Sequence, residues 1–242
     1  MLIESLESLR SRVITDFCAV MEFKLYTDLA YILSGEYTKS IPGGEFIIDY
    51  PAIAPFLSLA PNIINPYELP HRLEQAKNSY LLLLVHQQQV AIFENSFFDI
   101  LRTLFIDQPL RLPNKQRQIE YSIIINAQDK DEIIFALIEK EINEIKYKNV
   151  KDWFKYLENL VSKYKITDSD LGRIAEAKAT RDLFAHNAGI VNEIYLQKAG
   201  NFARFKIGES VSVEGDYMRD TWVVFSRVLI LILDLLIKKY KT

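Results

Sequence analysis

Arg181, Asp182 and His186 fall within one six-residue stretch, at the head of the string RDLFAHNAGIVNEIYL. They supply the groups that transesterification of RNA needs, in which a ribose 2′-OH attacks the adjacent phosphate. An imidazole ordinarily titrates near pH ~6.5, so a histidine can take or give the proton of that step close to neutrality. A guanidinium can donate two hydrogen bonds to phosphate oxygens as charge develops on them, and needs no metal to do so. At about 100° per residue on a helix, Asp182 and His186 are about 40° apart, so the carboxylate can accept from one imidazole nitrogen and fix the tautomer. Arg181 is about 140° from His186 around the same axis. One straight helix therefore places the pair poorly for a single phosphate, and a symmetric partner could supply the missing half. The same spacing fits a plainer arrangement, a solvated Arg181 and Asp182 face with His186 closing the helix C-terminus.

Two more polar residues bear on this constellation. Asn187 follows His186 directly, where its amide either reaches substrate or caps backbone groups. Glu94 stands between Phe93 and Phe97 in an apolar stretch. It either faces the motif helix as a partner for Arg181 or belongs to an ordinary polar face with Asn95, Asp99 and Arg102. The other histidines read as structural: His71 follows Pro70 at a helix start and is solvated, and His86 lies beyond the run Leu81 to Val85 as a core or boundary residue. Neither has a second ligand at metal spacing. The chain also lacks a Gly-rich phosphate loop, G-x-S-x-G, HExxH and C-x-x-C, so neither a metal nor a cofactor is expected.

The elements that must position these residues are read from apolar period and from breakers. Leu6, Leu9, Val13, Phe17, Val20, Met21 and Leu25 recur at helical spacing with no Pro or Gly, which predicts a long amphipathic helix over Leu2 to Leu33. Six of the eight prolines then fall between Pro42 and Pro70, which predicts an irregular connector or cap, since each Pro fixes φ and removes a donor. A long central helix is expected from Pro70 to Ile106, ended by Pro109 and Pro113. Helices follow over Asp129 to Tyr147 and Val150 to Tyr164. Thr167, Asp168, Ser169 and Asp170 supply N-cap residues for the motif helix, which should run to Asn187 with Gly189 as its stop. Phe205, Ile207, Val211 and Val213 alternate around Gly208 and predict a small hairpin within Ala203 to Val213. A final helix is expected over Asp216 to Tyr240. Its apolar run from Val223 to Ile237 is interrupted by Ser226, Arg227 and Asp234 and falls short of the ~20 residues that span a bilayer, so it reads as a core helix. The predicted fold class is all-α: a helical bundle with a long N-terminal helix, a loop-rich insertion and a small β-hairpin. Residues 1–70 form the N-terminal helix and Pro-rich connector, and residues 71–242 form the main helical domain, the two packed as one unit.

Composition bounds the partners. The 242 residues are 49% hydrophobic and 25% charged, which excludes disorder and gives material for a sizeable core. The formal net charge of -3 excludes coating of nucleic acid by a global basic field. Residues 172–242 nevertheless hold 11 basic and 8 acidic side chains. The single cysteine, Cys18, suits a reducing compartment, and the N-terminal MLIESLESLRSRVITDF lacks the pattern of a signal peptide, so a cytoplasmic protein with no membrane partner is expected.

RDLFAHNAGIVNEIYL resembles the signature of the HEPN superfamily (higher eukaryotes and prokaryotes nucleotide-binding), whose nuclease members carry Arg-x4-6-His with a polar residue directly after the Arg. Three other stretches resemble its bacterial RiboL-PSP/MAE-type branch: QVAIFENSFFDILRTLF, IKYKNVKDWFKYLENLV and FKIGESVSVEGDYMRDTWVVF. The resemblance covers residues 72–241 and leaves residues 1–70 uncovered. It implies an all-α bundle forming a homodimer, with the two motifs facing one another in a composite site. It further implies a metal-independent endoribonuclease, often a toxin or defence effector, in which Arg181 stabilises the phosphate, His186 transfers a proton and Asp182 orients or tunes them. The implied partners are an RNA substrate, a second copy of the chain and an antitoxin or operon partner. In one toxin branch a Tyr two positions after the His is modified; here that position is Ala188, and the resemblance gives no such control. Other members of the superfamily are inactive, so a non-catalytic RNA- or protein-binding module is the alternative. A helical structural dimer that docks a partner through its first helix and connector is a third reading.

Overall fold

A computed structural model describes residues 1–40, 46–48, 62–64, 68–113, 120–161 and 166–241. Its helices are α1 (Leu2–Lys39), α2 (Leu69–Ala76), α3 (Leu82–Asp107), α4 (Tyr121–Asn126), α5 (Lys130–Lys146), α6 (Val150–Val161), α7 (Asp168–His186), α8 (Glu193–Ala199) and α9 (Gly215–Lys241). The fold class is all-α. Two three-residue strands, β1 (Phe46–Ile48) and β2 (Asn62–Ile64), pair antiparallel with Phe46 opposite Ile64. Most of the Pro-rich connector expected between Pro42 and Pro70 lies outside the described residues.

Three long helices carry the core. Leu6, Leu9, Val13 and Phe17 make one buried stripe on α1, spaced so that they return to the same side every turn or two. That stripe packs on α3 and α9, whose buried residues include Phe97, Leu101 and Leu104 on the first and Val228, Leu229 and Ile232 on the second. The N-terminal helix and the main helical segment thus share one core. Aromatic rings fill its centre: Phe93 lies 4.4 Å from Phe225, Phe97 5.0 Å from Phe154, and Phe98 meets Trp153 edge-on at 4.9 Å. Trp153 and Phe154 come from α6, so these contacts seat the α5–α6 pair against α3. Among the described residues, no helix is long and apolar enough to cross a membrane.

The boundaries differ from expectation where local chemistry is permissive. α1 continues past Leu33 to Lys39, since Gly35 is tolerated inside the helix and the next proline is Pro42. The central segment expected as one helix is interrupted by a π-helical turn at Lys77–Leu81, after which α3 runs to Asp107. Residues 162–164 of the expected sixth helix lie outside the described residues. The hairpin expected within Ala203 to Val213 is absent. Instead, the Glu209 carbonyl accepts from Val191 N–H, Val211 N–H donates to the Gly189 carbonyl, and Ile190 bridges Ser210 antiparallel. Phe205 and Ile207 lie at a bend and a turn that Glu209 N–H closes on the Lys206 carbonyl at 3.1 Å, and the backbone groups of Gly208, Glu209 and Val211 are met by the segment that leaves α7.

α7 enters this framework through Ile174, Ala175 and Ala177, which are buried. Gly172 allows the Phe202 ring to lie on the helix, because a Cβ there would come within 2.1 Å of it. His86 ties α3 to α7: its side chain is wholly buried, and Nε2 donates to the Ala177 carbonyl at 3.1 Å while Nδ1 has no partner. That pattern requires a neutral ring. Burial is the largest cause lowering its pKa to about 4; the Ala177 carbonyl and Glu176 oppose it, and Arg204 and Arg181 reinforce it. The unfolded chain therefore binds a proton at His86 near pH ~6.5, where the folded chain does not. Stability should fall as pH drops from about 6.5 towards 4, by on the order of 3 kcal/mol from this residue alone. Urea unfolding of the wild type and His86→Gln at pH 7.5 and 4.5 checks this: the pH-dependent loss should be smaller in the variant, and equal losses would refute the assignment.

Candidate functional site

Thr167 starts the motif helix, its hydroxyl accepting from Asp170 N–H at 3.1 Å, and its C-terminal turns carry Arg181, Asp182 and His186. The helix ends in a left-handed turn, with Ala188 at φ 50° and Gly189 at φ 76°. Ala188 is the one non-glycine residue with positive φ among those described. Asn187 belongs to this turn: its amide donates to the Ile190 carbonyl at 2.5 Å. It is absent from the lining of the cleft described next, so the substrate-contact option for Asn187 gives way to backbone capping.

Arg181, Asp182 and His186 line one cleft of about 600 Å³, formed by α7, the turn between α5 and α6, and Lys198 of α8. The 140° separation does not keep Arg181 out of the space that His186 borders, because the long arginine side chain departs from its own helix. Its guanidinium reaches α3, where Nη2 donates to the Glu94 carboxylate. Lys178 Nζ lies 3.1 Å from the other Glu94 oxygen. Glu94 therefore partners Arg181, while Asp99 and Arg102 bond to each other and to Arg12 and Glu139 on a separate face. The Arg181 Nε is buried without a hydrogen bond, although it lies 3.3 Å from an Asp182 oxygen.

Asp182 does not fix the His186 tautomer. Its oxygens accept from Lys178 at 3.2 Å and Lys198 at 2.9 Å, and His186 is exposed. An ammonium four residues before Asp182 and another on the next helix outcompete an imidazole that can instead be solvated. Burial works to raise the Asp182 pKa, but Lys178, Lys198 and Arg181 outweigh it and hold the carboxyl below its ordinary value. Asp182 is thus an anionic spacer that keeps three cations apart and in place.

The remaining lining residues make the cleft basic. Among the described residues, Lys146, Lys148, Lys178, Arg181 and Lys198 face it, against the single carboxylate of Asp182. Lys146, Tyr147 and Lys148 were not identifiable as site residues from local pattern, since only the packing of α5 and α6 on α3 brings their turn opposite α7. Among the described residues, no group of three or more His, Cys, Asp or Glu is placed to hold a metal.

The helical fold and this cleft define an all-α protein with a local basic cleft lined by one Arg, one His and surrounding lysines. No family model, curated protein or solved structure matches the chain.

Proposed function

We propose that the protein is a metal-independent endoribonuclease of HEPN type, acting as a toxin or defence effector in the cytoplasm on RNA. The observation that carries this reading is the convergence of Arg181 and His186 on one cleft rimmed by four lysines. Arg181 and the lysines hold the phosphate, and the guanidinium meets the charge that develops on its oxygens. His186 removes the 2′-OH proton or protonates the departing 5′ oxygen. The 2′ oxygen bonds to phosphorus as the P–O5′ bond breaks, leaving a 2′,3′-cyclic phosphate and a free 5′-OH. In a homodimer a second copy of His186 takes the complementary proton role. A net charge of -3 is compatible with this, because a local cleft needs no basic surface overall.

Purified protein is expected to cut RNA in EDTA and to leave intact an otherwise identical substrate with a single 2′-deoxy at the cleaved position. Fragments with 5′-OH ends, read by ligation or mass spectrometry, are the expected product. Intact RNA across structured and unstructured substrates would refute the catalytic reading.

The alternative is a non-catalytic module that binds RNA or a protein, including an antitoxin or operon partner. One observation favours it: the second half of α1 exposes Phe23, Tyr26, Leu29, Leu33 and Tyr37, an apolar face of the kind that marks a docking surface. Expression separates the two readings. The nuclease should arrest growth only with His186 present, and the binding module should be indifferent to its replacement.

A further inference from the structure

We propose that Tyr147 is a base-stacking platform at the mouth of the cleft, and that the substrate class is single-stranded RNA. The inference deepens the reading of this cleft as an RNA site and rests on it. Tyr147 follows the last residue of α5 and is 94% exposed. A lone exposed aromatic means little, but the backbone beneath this one is anchored. Lys148 N–H donates to the Ile145 carbonyl at 2.9 Å, and Asn149 accepts from Asp152 N–H through its side chain, also at 2.9 Å, to start α6. Ile145 on one side and Val150 and Trp153 on the other are buried. The turn is therefore held at both ends by the core and presents the ring with little backbone freedom to lose on binding.

The flanking charges point to the same ligand. Lys146 and Lys148 border the cleft on either side of Tyr147, and neither forms an ion pair among the described residues. By contrast, Lys178 and Lys198 across the cleft are engaged by Asp182. The Lys148 ammonium stands beside the aromatic face with that of Lys146, which also lies 5.3 Å from the Phe98 ring centroid and acts on Glu139. Two such cations flanking a ring, opposite an Arg and a His, are the pairing that single-stranded nucleic acid uses: phosphates to the cations and a base to the ring. Only an unpaired base can take the position, because duplex bases have their faces occupied and the A-form major groove excludes side chains. A cleft of about 600 Å³ is in the range that encloses a small molecule, which suits one or two splayed nucleotides.

The test measures binding of the full-length protein to a fluorescein-labelled single-stranded 2′-O-methyl oligonucleotide, which has no free 2′-OH to react. An adjacent 2-aminopurine reports stacking. The wild type should bind the single strand at least about 10-fold more tightly than its duplex and quench the 2-aminopurine. Tyr147→Ala should weaken binding by about 10-fold or more, the range that stacking on one side chain supports, and abolish the quench. Tyr147→Phe should retain both, since the ring and not the hydroxyl does the stacking. Lys148→Ala should lower the slope of log affinity against log salt by about 0.7. Unchanged binding and quench in a folded Tyr147→Ala protein would overturn the inference, as would equal affinity for duplex or equal competition by polyglutamate. Cleavage by a Tyr147→Ala protein with unaltered binding would sink this inference and leave the nuclease reading standing. Stacking in a protein that never cuts RNA would do the reverse.

Discussion

His186→Ala is expected to lower the rate of RNA cleavage by about 10² to 10⁴-fold, the span general acid–base catalysis supplies, while leaving the fold intact. The second half of that statement follows from exposure: His186 is solvent-accessible and its side chain makes no hydrogen bond among the described residues, so its removal opens no cavity. Arg181→Ala should cost about 10² to 10³-fold, comparable to the loss of a donor that meets developing charge. It will also cost some stability, because among the described residues Glu94 keeps only Lys178 when the guanidinium goes. Arg181→Lys should rescue stability more than activity, since an ammonium can satisfy Glu94 but cannot present a fork to two phosphate oxygens. Glu94→Gln is the complementary probe. It leaves Arg181 in place but frees it to swing, and a misplacement of about 1 Å can cost about 10²-fold. Single-turnover cleavage of a labelled RNA in EDTA, with circular dichroism as the control on folding, reads the series. Wild-type rates in both His186→Ala and Arg181→Ala would dispose of the catalytic assignment.

The parts of the site that were legible in the sequence are those that lie on one helix. Arg181, Asp182 and His186 are joined by local geometry, so their spacing carried them to a common end of α7. What was not legible depends on competition or on distance. For Asp182, helical arithmetic offered His186 as a neighbour at i+4, but Lys178 at i−4 is an equally near neighbour with a permanent charge, and Lys198 adds a second. For Glu94 the pattern left two faces open, and only the packing of α3 against α7 chooses between them. Lys146, Tyr147, Lys148 and Lys198 lie in two other elements, and a charge balance read along the chain cannot place them opposite Arg181. The fold shows the same division. The long helices followed from apolar period and breakers, whereas the short α4 and α8 were not anticipated and the residues alternating around Gly208 form a turn with an unreadable partner. Their pairing with 189–191 requires the left-handed turn at Ala188 and Gly189, which reverses the chain after the motif helix.

Glu176→Ala should destabilise the protein by about 3 kcal/mol, the lower end of the penalty for breaking a buried charge pair. Glu176 is 3% exposed and accepts four side-chain hydrogen bonds: from Thr180 and Tyr195 at 2.8 Å and Arg204 at 3.0 Å on one oxygen, and from Tyr217 at 2.7 Å on the other. Truncation takes the acceptor from two phenol hydroxyls and the carboxylate partner from the Arg204 guanidinium, which is packed at 3.4 Å over the Tyr217 ring and keeps Thr180 and Ser212. The lower end applies because the Arg204 side chain keeps 25% exposure and water can reach part of it. At about 2–4 °C per kcal/mol for a chain of this size, the melting temperature should drop by roughly 10 °C. Tyr217→Phe removes one donor and should cost about 1 kcal/mol. Replacing Glu176 and Arg204 together by Leu should cost less than the sum of the single changes, because neither charge is then left alone. The phenols add an alkaline signature. Burial first and Glu176 second push Tyr195 up to about 12 and Tyr217 well above its ordinary value. The unfolded chain loses these protons near pH ~10, so stability present below that pH should fall as pH rises past it, and Tyr217→Phe should blunt the fall. The cluster also bears on the cleft, since Arg204 bonds Glu176 and Thr180 on α7 and thereby clamps the chain that follows α8 onto the motif helix. Glu176→Ala should therefore weaken RNA binding as well as stability, through displacement of Lys198, and a variant within about 0.5 kcal/mol of wild type by urea unfolding would show that the cluster does not hold these elements together.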